Sequence, residues 1–268
     1  MENVDKKAAA MTAMNHSSEY ILVAEKVVKR FGGVIAVDGA TVKVRRRTIT
    51  LLIGPNGSGK STLLNVIAGF YRPDSGRVVF EGRDVTGWPP HKLYHLGMAR
   101  TFQVPQPFHK LTVLENVLLA ARGHPGESFA APLQRRRWLP REEELVDKAF
   151  SILKLVGLIH LWDQPAGQLS GGQMKLLEIA RVLMSGAKMI LMDEPIAGVN
   201  PTLAHEILQF LVKLRDQGIT FFIIEHRLDI AMKYVDYVYA MARGRVIAEG
   251  RPEEVVSNPL VIDSYLGG

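Results

Sequence analysis

The sequence predicts an α/β fold: a parallel sheet covered by helices, with a segment of short strands before it and a helical block inserted into it. Three observations predict this. From Ser170 onward, apolar runs of strand length alternate with stretches of helical period, the pattern of parallel strands joined by crossover helices. Between Tyr20 and Ile53 the chain carries short β-branched, partly alternating segments broken by Gly32-Gly33 and Asp38-Gly39, which reads as strands and turns. From Val113 to Leu158 the period is helical, interrupted by a Pro-, Gly- and Arg-rich break at 123–141.

In chain order, Tyr20 to Val28, Thr41 to Val44 and Thr48 to Ile53 read as strands. A glycine-rich loop follows, then a helix from Ser61 to Phe70 with Leu63, Leu64 and Ile67 on one face, closed by Gly69 and Pro73. Residues 78–80 and 98–103 read as further strands, and the helical block comes next. After it come a helix from Ser170 through Ser185, a strand at 189–192, a helix at 202–216 and a strand at 219–224. Tyr237 to Ala242 and Arg245 to Glu249 are two more strands joined through Arg243-Gly244, with a short helix from Pro252. Residues 1–19 lack an apolar stretch of leader-peptide length and read as a flexible tail.

The 268 residues are 47% apolar and 22% charged, a composition that builds a sizeable core and excludes wholesale disorder. There is no cysteine, which removes disulfides, thiol nucleophiles and thiolate metal sites. The longest apolar runs, such as Met189 to Met192 and Ile219 to Ile224, fall far short of the roughly 20 residues of a membrane helix. A net charge of +6 suits phosphate-bearing ligands, nucleic acid or an anionic membrane face without choosing among them.

The chemistry begins at Gly54-Pro55-Asn56-Gly57-Ser58-Gly59-Lys60-Ser61, which matches the phosphate-binding pattern G-x-x-x-x-G-K-[ST] between a predicted strand and helix. Glycines let consecutive N–H groups wrap phosphate oxygens, and the helix start adds its positive end. Lys60 then reaches the β and γ phosphates, and Ser61 offers a hydroxyl to Mg²⁺. Met189-Ile190-Leu191-Met192-Asp193-Glu194 is an apolar strand that delivers two acids to a sheet edge. Ligands collect at such edges, so Asp193 is expected on Mg²⁺ and Glu194 as base or water-orienting group.

Leu169-Ser170-Gly171-Gly172-Gln173 precedes a helical run, with Ser170 at the capping position. Together with the loop at 54, Gln103, the Asp193-Glu194 pair and His226 after the strand 220–224, this ordered set resembles the nucleotide-binding subunit of ATP-binding-cassette (ABC) transporters. The resemblance runs from about Tyr20 to the C-terminus. It implies a P-loop NTPase (RecA-like) core with an antiparallel β-subdomain and an inserted ABC helical subdomain. One nucleotide-binding domain then spans 20–268, its core lobe being 20–103 and 170–268 and its helical subdomain about 104–169.

The resemblance also implies a head-to-tail pair of such domains with two ATP molecules between them. Gly54 to Thr62 would bind the phosphates in cis, and Ser170, Gly171, Gly172 and Gln173 would grip the γ-phosphate of ATP held by the other domain. Gln103 matches the glutamine that contacts Mg²⁺ and the attacking water, Glu194 the catalytic glutamate, His226 the γ-phosphate histidine and Phe31 the aromatic that stacks on adenine. The expected partners are two integral membrane subunits and a second ATPase subunit, as heterodimer or homodimer. An extracytoplasmic solute-binding protein acts indirectly, and the expected place is the cytoplasmic face of the plasma (inner) membrane. No nucleic acid is expected.

One departure is Asn200, in Pro195-Ile196-Ala197-Gly198-Val199-Asn200-Pro201, where many ABC domains carry aspartate. This loop, and Arg100-Thr101-Phe102-Gln103 followed by Leu111 to Val117, resemble the branch that imports branched-chain and other hydrophobic amino acids. In that branch Pro105 to Leu114 would face a cytoplasmic helix of the membrane subunit; packing in the subdomain core is the other reading of Phe108, Leu111 and Val113. Lipid export and a non-transport ABC ATPase are the alternatives. His91 and His95 lack an H-E-x-x-H context, and the basic runs 45–47 and 135–141 read as solvated faces.

Overall fold

The computed structural model describes residues 19–101, 106–122 and 135–266, with 135–140 described as backbone. The N-terminal tail expected at 1–19 and the strand end expected at 102–103 lie outside the described residues, apart from Glu19.

Two sheets form the frame. Strands β1 (Tyr20–Phe31), β2 (Val34–Arg45), β4 (Ser75–Phe80) and β5 (Arg83–Asp84) make an antiparallel sheet in the order β2-β1-β4-β5. Strands β3 (Ile49–Ile53), β6 (Met98–Arg100), β7 (Met189–Asp193), β8 (Thr220–Ile224), β9 (Tyr237–Ala242) and β10 (Arg245–Gly250) make the second, in the order β10-β9-β3-β8-β7-β6. Its pairings are parallel except β10 with β9.

Asp38-Gly39, expected as a turn, lies inside β2. Val27 pairs with Ala40 and Val28 with Asp38, so Gly39, at φ 72°, is the extra residue of a bulge. Both turn and bulge use the left-handed region glycine reaches freely, which is why the dipeptide signals either. The strands therefore run on to a tight turn at Gly32-Gly33.

The central strands are buried on both faces because helices or sheet cover each side, which explains their continuous apolar sequence. Leu52, Met189, Leu191, Phe222 and Ile224 point into a core shared with the antiparallel sheet and helix α1 (Lys60–Ile67). Their neighbours Leu51, Ile53, Ile190, Met192, Phe221 and Ile223 point the other way. They meet residues Ala204, Ile207, Leu208 and Leu211 of a helix (Pro201–Asp216) on the opposite layer.

Among the described residues the remaining α-helices are α2 (Pro90–Leu96), α3 (Val113–Leu118), α4 (Arg135–Leu155), α5 (Gly171–Met184), α6 (the Pro201–Asp216 helix), α7 (Leu228–Ala231), α8 (Pro252–Val256) and α9 (Pro259–Leu266). Helix α4 starts inside the predicted break at 123–141. A third core joins α3, α4 and the far face of α5 through Val113, Val117, Ala149, Leu153, Leu177 and Ala180. Helix α5 thus contributes to the helical subdomain with one face and to the sheet layer with Ile179 and Val182. Among the described residues no helix is long and apolar enough to cross a membrane.

Candidate nucleotide site

Strands β3, β8 and β7 are neighbours and parallel, so their carboxyl ends lie side by side. The chain puts Gly54 after the first, Glu225 and His226 after the second, and Asp193 and Glu194 at the end of the third. Topology alone gathers the loop and the acids at one edge.

The loop from Gly54 to Gly59 is held against two other segments. A Cβ on Gly54 would meet the carbonyl oxygen of Met241 at 2.1 Å, and one on Gly59 the carbonyl oxygen of Ala36 at 2.2 Å. Gly59 also stands at φ 99° as the N-cap of α1. The turn between β9 and β10 closes the cradle: Gly244 donates its N–H to Ser58 and accepts from Asp38 N–H, at 3.0 and 2.8 Å. Nothing in the first turn of α1 is acidic and no side chain caps it, so its N–H groups point outward, ready for an anion.

Lys60 is buried and donates from Nζ to the carbonyl oxygens of Gly54 at 2.8 Å and Pro55 at 2.9 Å. Burial lowers its pKa, while the charges of Glu194 and Asp193 oppose the shift. Asn56, Gly57 and Ser61 are exposed on the rim, Thr62 is half-buried and Ser58 is buried. Phe31, 45% exposed, ends β1 next to the Gly32 turn, its ring edge-on to Tyr71 at 5.2 Å with Lys29 Nζ 5.4 Å above it.

Asp193 is pushed up by burial, and the Arg100 guanidinium, 3.5 Å away, resists that. Arg100 itself is clamped by Asn65 of α1 and lies over the Phe70 ring at 5.1 Å. Glu194 adopts a left-handed φ of 52°, a strained setting for a non-glycine residue, and donates its N–H to Ile224 at 2.9 Å. Its carboxylate meets the imidazole of His226 at 3.3 Å.

Ser170 and Gln173 form a capping box at the head of α5: Gln173 N–H donates to Ser170 Oγ at 3.3 Å, and Ser170 N–H to Gln173 Oε1 at 2.9 Å. Gly171 and Gly172 fill the first turn, Gly172 so close to Leu203 that a Cβ would fall 2.3 Å from its Cδ2. This group heads a different helix from the one that follows the phosphate loop. Gln103, expected at the site, lies outside the described residues.

Arg100, Lys175, Glu225 and Gly244 also build this region, and motif reading gives none of them a role there. Glu225 carried the clearest signal, a charge directly after five buried strand residues. Its carboxylate is 1% exposed and accepts from Ile196 N–H at 2.7 Å and His226 N–H at 3.1 Å; burial raises its pKa against those donors.

Comparison with known proteins fits this geometry. The family model described as "ABC transporter" matches residues 37–197, from β2 through the loop after Glu194. The chain belongs to the ABC transporter ATP-binding family. A second model, "Branched-chain amino acid ATP-binding cassette transporter", matches residues 245–268.

This cassette is 55% identical over 251 residues to the probable branched-chain amino acid transport ATP-binding protein LivG of Methanocaldococcus jannaschii, covering 92% of this chain and 97% of that one. It is 33% identical over 252 residues to the high-affinity branched-chain amino acid transport ATP-binding protein LivG of Escherichia coli, covering 93% and 99%. A crystal structure of the ADP conformation of an ATP-binding cassette of an ABC transporter aligns with TM-score 0.81 at 53% identity, covering 93% and 99%. A nucleotide-free cassette from an ABC transporter gives 0.80 at 53%, covering 93% and 100%. The P-loop NTPase fold with its β and helical subdomains is therefore established, and the chain is an ABC ATPase.

Proposed function

We propose that this cassette is the ATP-hydrolysing subunit of a transporter that takes up branched-chain or related amino acids through separate membrane subunits. The supporting observation is the convergence of Lys60, Asp193, Glu194 and His226 at three adjacent strand ends, in a chain whose relatives carry branched-chain amino acid transport names.

ATP is the substrate. Gly54 to Thr62 receives its phosphates on backbone N–H groups, Lys60 exchanging the carbonyl oxygens of Gly54 and Pro55 for β- and γ-phosphate oxygens. Phe31, exposed at the end of β1, stacks on adenine. The Ser61 hydroxyl is exposed at the head of α1 and the Asp193 carboxylate stands at the neighbouring strand end, a hard oxygen donor set that suits Mg²⁺. Ser61, Asp193 and Gln103 would hold the ion, which when bound neutralises charge on the phosphates.

Glu194 orients the attacking water and takes its proton, and His226, bonded to that carboxylate, reaches the γ-phosphate. Ser170, Gly171, Gly172 and Gln173 grip the γ-phosphate of ATP bound by a second domain, another copy or a related chain, so two sites close together. Residues 104–169 act as the helical unit that meets the membrane subunits. Phe108, 53% exposed and under Arg181 at 5.6 Å, supports the contact reading, and Val113, buried in the subdomain core, supports the packing reading. The subunit works at the cytoplasmic membrane face as a peripheral protein, and a solute-binding protein delivers the amino acid from the other side.

The test is to tag the chain in its native host, purify it from detergent-solubilised membranes and identify stoichiometric partners by mass spectrometry. Two polytopic subunits and a second ATPase are expected. Ribosomal proteins, or no partner, would contradict the proposal.

A further inference from the structure

The segment from Glu194 to Asn200 is gripped from two sides. On one side, Lys175 of α5 is half-buried and donates from Nζ to three carbonyl oxygens of this loop: those of Glu194 at 3.4 Å, Pro195 at 3.0 Å and Ala197 at 2.6 Å. On the other, Glu225 accepts the Ile196 N–H at 2.7 Å, and Arg227 Nη1 donates to the Val199 carbonyl at 2.9 Å. The side chain of Ile196 is fully buried between them. Lysine with three rotatable donors on a four-carbon stem can satisfy three carbonyls from one helix position.

Lys175 lies two residues, about half a helical turn, beyond Gln173, which closes the capping box with Ser170. The ammonium thus joins the rigid head of α5 to the backbone of Glu194, whose carboxylate meets His226. Gly172 packed on Leu203 makes a second contact between the same helix head and the start of α6.

We infer that Lys175 is a positioning residue for hydrolysis, transmitting the seating of the α5 head on ATP of the opposing domain to Glu194 of its own domain. This rests on the proposed function above. A helix head pulled toward the partner's γ-phosphate carries Lys175 with it, and three carbonyl contacts set the height of Glu194 against its own nucleotide. Each site then hydrolyses fully when the other is filled.

The test uses the assembled transporter, purified with its membrane subunits, carrying Lys175→Met or Lys175→Arg in this chain. The methionine variant is expected to lose about tenfold or more in kcat with KM for ATP within about twofold, because phosphate binding by Lys60 is untouched. Its ATP dependence should also lose cooperativity, and arginine, which keeps the charge and the donors, should restore most of both. Methionine with unchanged kcat and cooperativity overturns the inference, as does a rise in KM alone. If the methionine variant does not assemble, Lys175→Gln takes its place, and wild-type kcat and cooperativity in that variant overturn the inference equally. Glu194→Gln is run beside them: turnover that survives it sinks the hydrolytic assignment itself, independently of Lys175.

Discussion

Nε2 of His226 lies 3.3 Å from Oε1 of Glu194, although the two residues follow different strands and are separated by α6 in the chain. The contact exists because β7 and β8 are parallel neighbours in register, with Asp193 opposite Ile224. Glu194 has turned into a left-handed conformation at that point, and its N–H is tied to Ile224. Strain of this kind persists where surrounding bonds over-determine it. His226→Ala removes the imidazole that holds the carboxylate; steady-state phosphate release should fall about 100-fold, with nucleotide affinity changed little. Full turnover in that variant would show that the pair is not part of the reaction.

The phosphate loop tolerates no side chain where it touches β2. Gly59→Ala combines a φ of 99° with a Cβ 2.2 Å from a carbonyl oxygen. Backbone strain and overpacking together are expected to destabilise the fold by about 2–4 kcal/mol, seen as a lower denaturant midpoint, and nucleotide affinity should drop with it.

Glu225 predicts a pH signature. Its carboxyl is raised from 4.5 by burial, so between pH 4.5 and its folded value the native state binds more protons than the unfolded state. Unfolding free energy from this group therefore falls as pH rises through that window. Glu225→Gln lacks the titration, so the stability of wild type minus that of the variant should decrease from pH 4.5 upward. Parallel denaturation curves at all pH values would contradict the buried charge.

Asn200 has a structural task that aspartate would share. Its Oδ1 accepts the Leu203 N–H at 2.9 Å as the N-cap of α6. Asn200→Asp should leave the thermal midpoint nearly unchanged, whereas Asn200→Ala should cost about 1 kcal/mol by chemical denaturation. Comparing ATP turnover of the aspartate variant with wild type then isolates the effect of charge in this loop from that of the cap.

Much of this was legible in the sequence because it rests on local pattern. The central strands announce themselves as apolar runs, and the Gly54 to Ser61 spacing fixes a strand, loop and helix. The helix cap at Ser170 follows from residue type, and the structure adds Gln173 as its reciprocal partner. What stayed hidden depends on non-local partners. Asp38-Gly39 has the same local chemistry as a turn, and pairing with β1 makes it a bulge. Gly244 acts through Ser58 and Asp38, far away in the chain. Lys175 stands in a helix that reads as amphipathic, and its meaning comes from three carbonyl groups that no side-chain pattern records. Helix α2 begins at Pro90, with Pro89 as its N-cap, a first-turn position that proline fits.

The most direct measurement is amino-acid uptake by the whole transporter in proteoliposomes, with its solute-binding protein outside and ATP on the side of this chain. Leucine, isoleucine or valine should accumulate with the wild-type chain and not with Glu194→Gln, although both bind ATP. Accumulation that continues with Glu194→Gln, or transport of these amino acids in the opposite direction, would contradict the account.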